Sequence, residues 1–480
     1  MNAELIGADE SAEARLGHAP LGAGAFADLH RFSSSLLFCD GGRLLPSRDA
    51  SGVNSSEITD MDGLPVEVIG NILSHLGAAR DVVIASATCR KWREAVRRHL
   101  HTLSVSDTDW PGYREHRTED LEVIITQTIM QTSSLEDLSI CLGPPITLSA
   151  APVVAWLMYT RESLRFLNYN MQTKSHLNIL ERCGKQRLEG LTLGCTMIAH
   201  VDSVNYKFPV LRSLTLSRVS ITAVRLNLLL SGCPKLESLS ICRADIGLTG
   251  STAAMDLCSP SLRTFALEGM DVEQIVLEAD KLESLSLKDC RLDHFELLSK
   301  GSLRALKIDD VSMVQLDIGD STDLLEVVDV KDFNIMWPKF YDVISKASKL
   351  KSLRVWGLTI DGDENLDLET IAVSFPKLQR LAVNYDLVDG VNHNPFLVSV
   401  LLERVVWLEL GSTVINELYA ECIGAVLERC PSLEKLVVHG PISEAIGRDD
   451  YPIHQIAKFT TSLVNLMRRF SDVEIDFEYR

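Results

Sequence analysis

The chain lacks any apolar run of the roughly 18 residues a membrane-spanning helix needs; runs such as Ala150–Tyr159 stop well short. It also lacks a C-x-x-C pair. Its 11 cysteines are odd in number and scattered from Cys39 to Cys430. That excludes a dense disulfide scaffold and fits reduced, packed thiols in a protein of the cytoplasm or nucleus. Positive charge is short, with 47 Lys+Arg against 66 Asp+Glu and a net charge of −19. Such a field repels phosphate backbones and anionic lipid, so neither nucleic acid nor a membrane is an expected partner. Catalytic constellations are missing too. The glycines of Gly22-Ala23-Gly24-Ala25 have no phosphate-loop lysine, and no cysteine or carboxylate pattern accompanies His99 and His101. Asp361-Gly362-Asp363-Glu364 lacks the spacing of a calcium loop. No catalytic residue, metal or cofactor is expected.

What is present is apolar content, 46% of 480 residues. At roughly 150 residues per domain the length alone implies three domains, but the pattern along the chain divides it differently. Residues 1–57, rich in Ala, Gly and Ser, hold four Arg against eight acidic residues and no sustained period. They are expected to be a disordered tail, and Met61, directly before the first patterned segment, is an alternative start.

Residues 61–101 read as a small helical unit. Leu64, Val68, Ile69, Ile72, Leu73 and Leu76 make the apolar stripe of an amphipathic helix, with Pro65 suited to its first turn and Gly77 to its stop. A short apolar segment, Val82–Ala87, follows. A third segment, Cys89–Arg98, sets Cys89, Trp92 and Val96 on one face and a basic face opposite. About 40 residues cannot bury enough surface to stand alone, so this unit must lean on a neighbour.

From residue 135 the chain repeats. The phrase Leu-x-x-Leu-x-Leu runs from Leu135/Leu138/Ile140 to Leu433/Leu436/Val438 in 13 copies spaced 20 to 29 residues apart. This is the leucine-rich-repeat signature. The second and third apolar positions alternate along a short strand and point inward, while the residues between them face out. The fold expected is therefore α/β: a small all-helical unit, a connecting or capping segment over 102–134, and a solenoid with a curved parallel sheet of about 13 repeats over 135–480. The 25-residue turn from Leu211 has room for two helical turns before Cys233-Pro234. The turns from Leu282 and Leu303, 21 and 22 residues long, call for extended or 3₁₀ returns.

The Leu64-Pro65 opening and the Cys89-Arg90-Lys91-Trp92-Arg93 closing resemble an F-box. With the repeats behind them, residues 61–480 resemble the plant F-box/leucine-rich-repeat proteins. In that family the F-box docks on the Skp-type adaptor of an SCF (Skp–cullin–F-box) ubiquitin ligase, and through it on cullin and RING subunits. The repeats hold a target protein for ubiquitination and proteasomal degradation. The resemblance implies a non-catalytic subunit, with Leu64, Pro65, Glu67, Val68, Ile72 and Leu76 facing the adaptor and Trp92 matching the family's closing aromatic. Gly70 departs from the family's larger aliphatic residue, and glycine within a helix costs roughly 1 kcal/mol relative to alanine. The alternative is a repeat scaffold that assembles no ligase.

The outward strand positions form the concave surface, the usual ligand face of a solenoid. Early turns present small groups there, such as Thr192, Thr215, Ser240 and Ser286. Later turns carry Lys307, Asp329, Lys331, Arg354, Trp356, Arg380, Trp407 and Glu409. Trp and Arg dominate binding hot spots, so the target is expected on this C-terminal half. The competing reading is that Trp356 and Trp407 only cover the end of the solenoid. The charge of −19 divides as −4 over residues 1–57, +1 over 58–101 and −16 over the rest. No dense Lys/Arg cluster for a polyphosphate is present.

Overall fold

The computed structural model describes residues 63–479 apart from 176, 185–186, 199–206, 248–253, 300, 358–367, 386–400, 413–414, 416 and 441–452. The tail, Met61 and the acidic stretch at 361–364 lie outside the described residues. The chain opens with three helices, α1 (Val66–Ser74), α2 (Ala79–Thr88) and α3 (Arg90–His99). Pro65 caps α1, its carbonyl accepting from the amides of Val68 and Ile69 at 3.1 Å each. Ile69, Leu73, Val82, Ala95 and Val96 are buried between the helices and join the same core as Leu103 and Val105 of the first strand. Backbone bonds secure the junction: Ser104 donates to the Gly77 carbonyl at 2.7 Å and Glu136 to that of His101 at 2.8 Å. The small helical unit thus leans on the solenoid.

The solenoid is a 17-stranded sheet in which every pairing is parallel, and two of those strands lie on the return side. The remaining strands are its rungs. In the first half these are β1 (Thr102–Ser106), β2 (Asp137–Cys141), β3 (Phe166–Asn170), β4 (Gly190–Gly194), β5 (Ser213–Ser217), β6 (Ser238–Cys242) and β7 (Thr264–Glu268). Then come β8 (Ser284–Leu298), β9 (Ala305–Asp317), β10 (Val327–Asn334) and β11 (Ser352–Trp356). The last are β12 (Arg380–Tyr385), β13 (Trp407–Ser412), β14 (Lys435–Gly440) and β15 (Glu474–Tyr479). The rungs stack in chain order with no offset in the phrase; Leu214, for instance, sits between Leu191 and Leu239. All three apolar positions of each of the 13 copies are buried, each stabilising the fold by about 1.5–3 kcal/mol.

The sheet begins earlier and ends later than the 13 phrases. Residues 102–134, expected to connect, start with β1, a full rung paired to β2 through Leu103↔Leu138 and Val105↔Ile140. At the far end β15 pairs with β14 through Leu436↔Ile475 and Val438↔Phe477.

Return segments follow the spacing of the turns. The turn from Leu211 returns through a helix, Ala223–Ser231. The short turns return as strands. The second half of β8 pairs with Asp271–Glu278 on one side and with the second half of β9 on the other, and a 3₁₀ helix, Gly319–Leu324, closes the turn from Leu303. A corner recurs two residues after the third apolar position. Cys195, Arg218, Arg243, Gly269, Asp289, Asp310, Asp332 and Gly357 all have φ between 48° and 66° there. The corner's amide bonds the next rung, as when Arg218 donates to Cys242 at 2.8 Å and Arg243 to Glu268 at 2.7 Å. Those bonds offset a conformation that only glycine adopts without cost.

A row of charge runs along one rim, directly after the first leucine of each phrase. Glu136, Arg165, Glu189, Arg212, Glu237, Arg263, Glu283, Arg304, Glu326 and Lys351 alternate in sign without a break. Arg165 reaches Glu136 at 3.3 Å and Glu189 at 2.7 Å. Arg212–Glu237 and Arg263–Glu283 close at 2.6 Å each, and Glu326 holds Arg304 at 3.0 Å and Lys351 at 2.6 Å.

Candidate docking face and target face

The helical unit offers one unusual surface. α1 turns Ile69, Gly70 and Leu73 inward and leaves Pro65, Glu67, Val68 and Ile72 exposed, Val68 by 43% and Ile72 by 39%. Leu64 and Leu76 are half-buried at the two ends of this row, and Trp92 is half-buried against the core. Scattered exposed aliphatics are ordinary, but two at i and i+4 on one helix, flanked by further apolar residues, form the face a partner groove accepts. Ile84 on α2, exposed by 41%, is a further aliphatic that the sequence reading did not single out. Its short segment carries no helical stripe long enough to mark it.

Gly70 has a reason beyond propensity. A Cβ built there would lie 2.6 Å from both Cβ and Cγ of His99, so α1 and α3 approach too closely for any side chain.

On the concave face the C-terminal candidates separate into two groups. Lys307, Asp329 and Lys331 are surface charges on β9 and β10. Lys331 Nζ lies 3.9 Å from Asp309, and Arg354 Nε lies 4.0 Å from Asp329. Arg354, Trp356 and Glu409 are drawn into one cluster with His439. The register sets Ala382 between Arg354 and Glu409 and Gly411 beside His439, and these small residues leave room for side chains to reach across rungs. Arg354 Nη2 donates to Glu409 Oε1 at 3.2 Å. Nε2 of His439 lies 2.7 Å from the same oxygen, and Nδ1 lies 3.4 Å from Glu478 Oε2, at angles outside hydrogen-bond geometry. The Trp356 ring packs edge-on to His439 with centroids 5.1 Å apart, and the Arg354 guanidinium lies 5.7 Å from the Trp356 centroid. Tyr419 donates to the carbonyls of Leu410 at 3.0 Å and His439 at 3.3 Å, tying β13 to β14 beneath the cluster.

Glu409 and His439 are 5% and 4% exposed. Glu409, expected among the contact residues, is therefore buried and engaged. Trp356 stays half-exposed above it. Arg380 and Trp407 face each other across β12 and β13, with Arg380 exposed and Trp407 half-buried. The pairing of Arg354 with Glu409, 55 residues apart, has no signal in the sequence beyond residue type.

Cys183, Cys233 and Cys430 are buried, and burial pushes each thiol up to about 12. Among the described residues no group of His, Cys, Asp or Glu has the arrangement of a metal site, and no helix is long and apolar enough to cross a membrane.

Comparison with known families places both regions. Residues 61–102 match the F-box-like family, and residues 158–383 match the leucine-rich repeats of FBD-associated F-box protein At5g56370. The F-box/LRR-repeat protein At1g67190 of Arabidopsis thaliana is 50% identical over 420 residues, which is 87% of this chain and 100% of that protein. The F-box protein At1g10780 of the same plant is 23% identical over 349 residues, 70% of this chain and 76% of that protein. With half of the 420 aligned residues identical along the full length of such a relative, the chain belongs to the F-box/leucine-rich-repeat proteins of plants.

Proposed function

We propose that this protein is a substrate-recognition adaptor of an SCF-type ubiquitin ligase. Its α1 face grips the Skp-type adaptor, through which cullin and RING subunits are recruited, while the concave C-terminal half holds a target. The observation that carries the docking half is the exposed Pro65–Val68–Ile72 row on a helix whose other face buries Ile69, Gly70 and Leu73. Burying both aliphatics in a partner groove would contribute about 25 cal/mol per Å² of apolar surface removed from water. The protein supplies no catalytic group. Its mechanism is proximity: fixing a target beside the charged ligase makes ubiquitin transfer effectively intramolecular.

Co-purification tests the docking half. The wild type should retain the Skp-type adaptor, and Pro65→Ala with Val68→Asp should lose it while keeping the same melting temperature. A wild type that retains no adaptor would instead favour a repeat scaffold outside any ligase. For the target half, Trp356→Ala with Trp407→Ala should lose partners that the wild type captures. A variant that keeps every partner leaves the two tryptophans as cover for the end of the solenoid.

A further inference from the structure

Among the described residues many charges on the rungs are paired from one strand to the next, and the pairing lapses at β12. The rim row pairs from Glu136 to Lys351. On the concave face Lys288 meets Glu268 at 3.3 Å, and Arg354 meets Glu409. Pairing resumes at the far end, where Lys435 holds Glu474 at 2.8 Å and Asp476 at 2.6 Å. Between these stand β12 and β13, where the rim positions are Gln379 and Val406 and the row of alternating charge ends. Arg380 begins β12 with Ser352 on one side and Trp407 on the other. Among the described residues its side chain makes no ion pair, and neither strand neighbour is acidic. Glu409, the acid two residues beyond Trp407, is buried and bonded by Arg354. Lys307 likewise makes no ion pair among the described residues, but its register partner, Asp329, is acidic.

We propose that Arg380 and Trp407 are the anchor for an acidic segment of the target protein, a carboxylate side chain pairing with the guanidinium while its aliphatic stem rests on the indole. This rests on the reading that the concave face holds the target, and it adds the chemistry of what is held. A guanidinium is planar, weakly hydrated and matched to a carboxylate in a two-bond fork, and it gains most beside an aromatic ring. A basic segment would face Arg380 with like charge. Nucleic acid needs a line of cations, and Arg380 stands in a stretch, residues 102–480, whose net charge is −16. Beside it Arg354 and Glu409 are already paired with each other.

The test is selection of displayed random peptides of about 12 residues on the immobilised full chain, followed by affinity measurement of the winners. Enriched peptides should carry Asp or Glu, and Arg380→Glu should weaken them by about tenfold or more, the scale of a hot-spot residue. Changing the critical acid of a winner to Lys should restore binding to Arg380→Glu, which a mere loss of folding cannot produce. Winners without acids, no winners at all, or acidic winners that Arg380→Glu weakens by less than about twofold would overturn the assignment. Adaptor retention by Arg380→Glu is read in parallel. A wild type that retains no adaptor sinks the ligase reading and leaves the peptide result standing, so the two failures are distinguishable.

Discussion

At Gly70 two tendencies of opposite sign meet. Helix propensity favours alanine there by about 1 kcal/mol, whereas the new Cβ would lie 2.6 Å from His99 Cβ. That atom is fixed by its own backbone and cannot swing aside, so overpacking, typically about 1–3 kcal/mol, should prevail. Gly70→Ala is expected to lower the urea midpoint; an unchanged or raised midpoint would show that the helices can part freely. In the sequence Gly70 was legible only as a weak point of a helix, because its neighbour lies 29 residues away on another element. The cysteines were plainer. Cys233 and Cys430 each precede proline at the end of a turn, and both read as packing residues. With their thiols pushed up to about 12, hardly any thiolate exists at neutral pH, and the fraction grows only as pH climbs toward that value. Alkylation of the native protein at about pH 8 should spare Cys183, Cys233 and Cys430 and mark exposed Cys258, with all four labelled in urea.

Individual rungs divide their stability between core and rim. Leu191→Ala should cost about 2–5 kcal/mol at any salt concentration. Arg165→Glu, which sets an acid between Glu136 and Glu189, should cost much less, since ion pairs in contact with water contribute little. That cost should shrink in ~1 M salt, where screening acts over about 3 Å. Denaturation at two salt concentrations separates them. The rim also responds to pH. Hydrogen bonding to Lys351 holds the Glu326 carboxyl below its ordinary value of 4.5. The stabilisation is therefore present above that value and lost as pH falls through the lowered one, so the deficit of Lys351→Ala measured at pH 7 should diminish on acidification. A deficit unchanged in acid would mean that Lys351 acts through packing alone. The 13 central rungs could be read directly, since phrase and period agreed. Both terminal rungs escaped for a physical reason: each is separated from its neighbour by a long return helix, Thr118–Met130 or Ile453–Arg469. Leu100/Leu103/Val105 therefore stands 35 residues before the next phrase, outside the period that identified the others.

Among the described residues one continuous core runs from Ile69 in α1 to Leu463 near the C-terminus, so the two candidate faces belong to one body. Resemblance to an F-box pointed to the candidate docking residues, whereas periodicity alone set Leu64, Val68, Ile69, Ile72, Leu73 and Leu76 on one stripe and did not separate the buried Ile69 and Leu73 from the exposed Val68 and Ile72. Neither could show the target face in the same detail. Which of Arg354, Arg380, Trp356 and Trp407 are free and which are engaged depends on pairings across rungs that only the stacking register creates. The central claim is that both faces act together on the same target. It is tested most directly by measuring protein abundances in plants lacking this chain and complemented with wild type, Val68→Asp, or Trp356→Ala with Trp407→Ala. The two variants should accumulate the same proteins, each returned to its normal level by the wild type. Accumulation of unrelated sets, or of none, would contradict the claim that the chain bridges a target to a ligase.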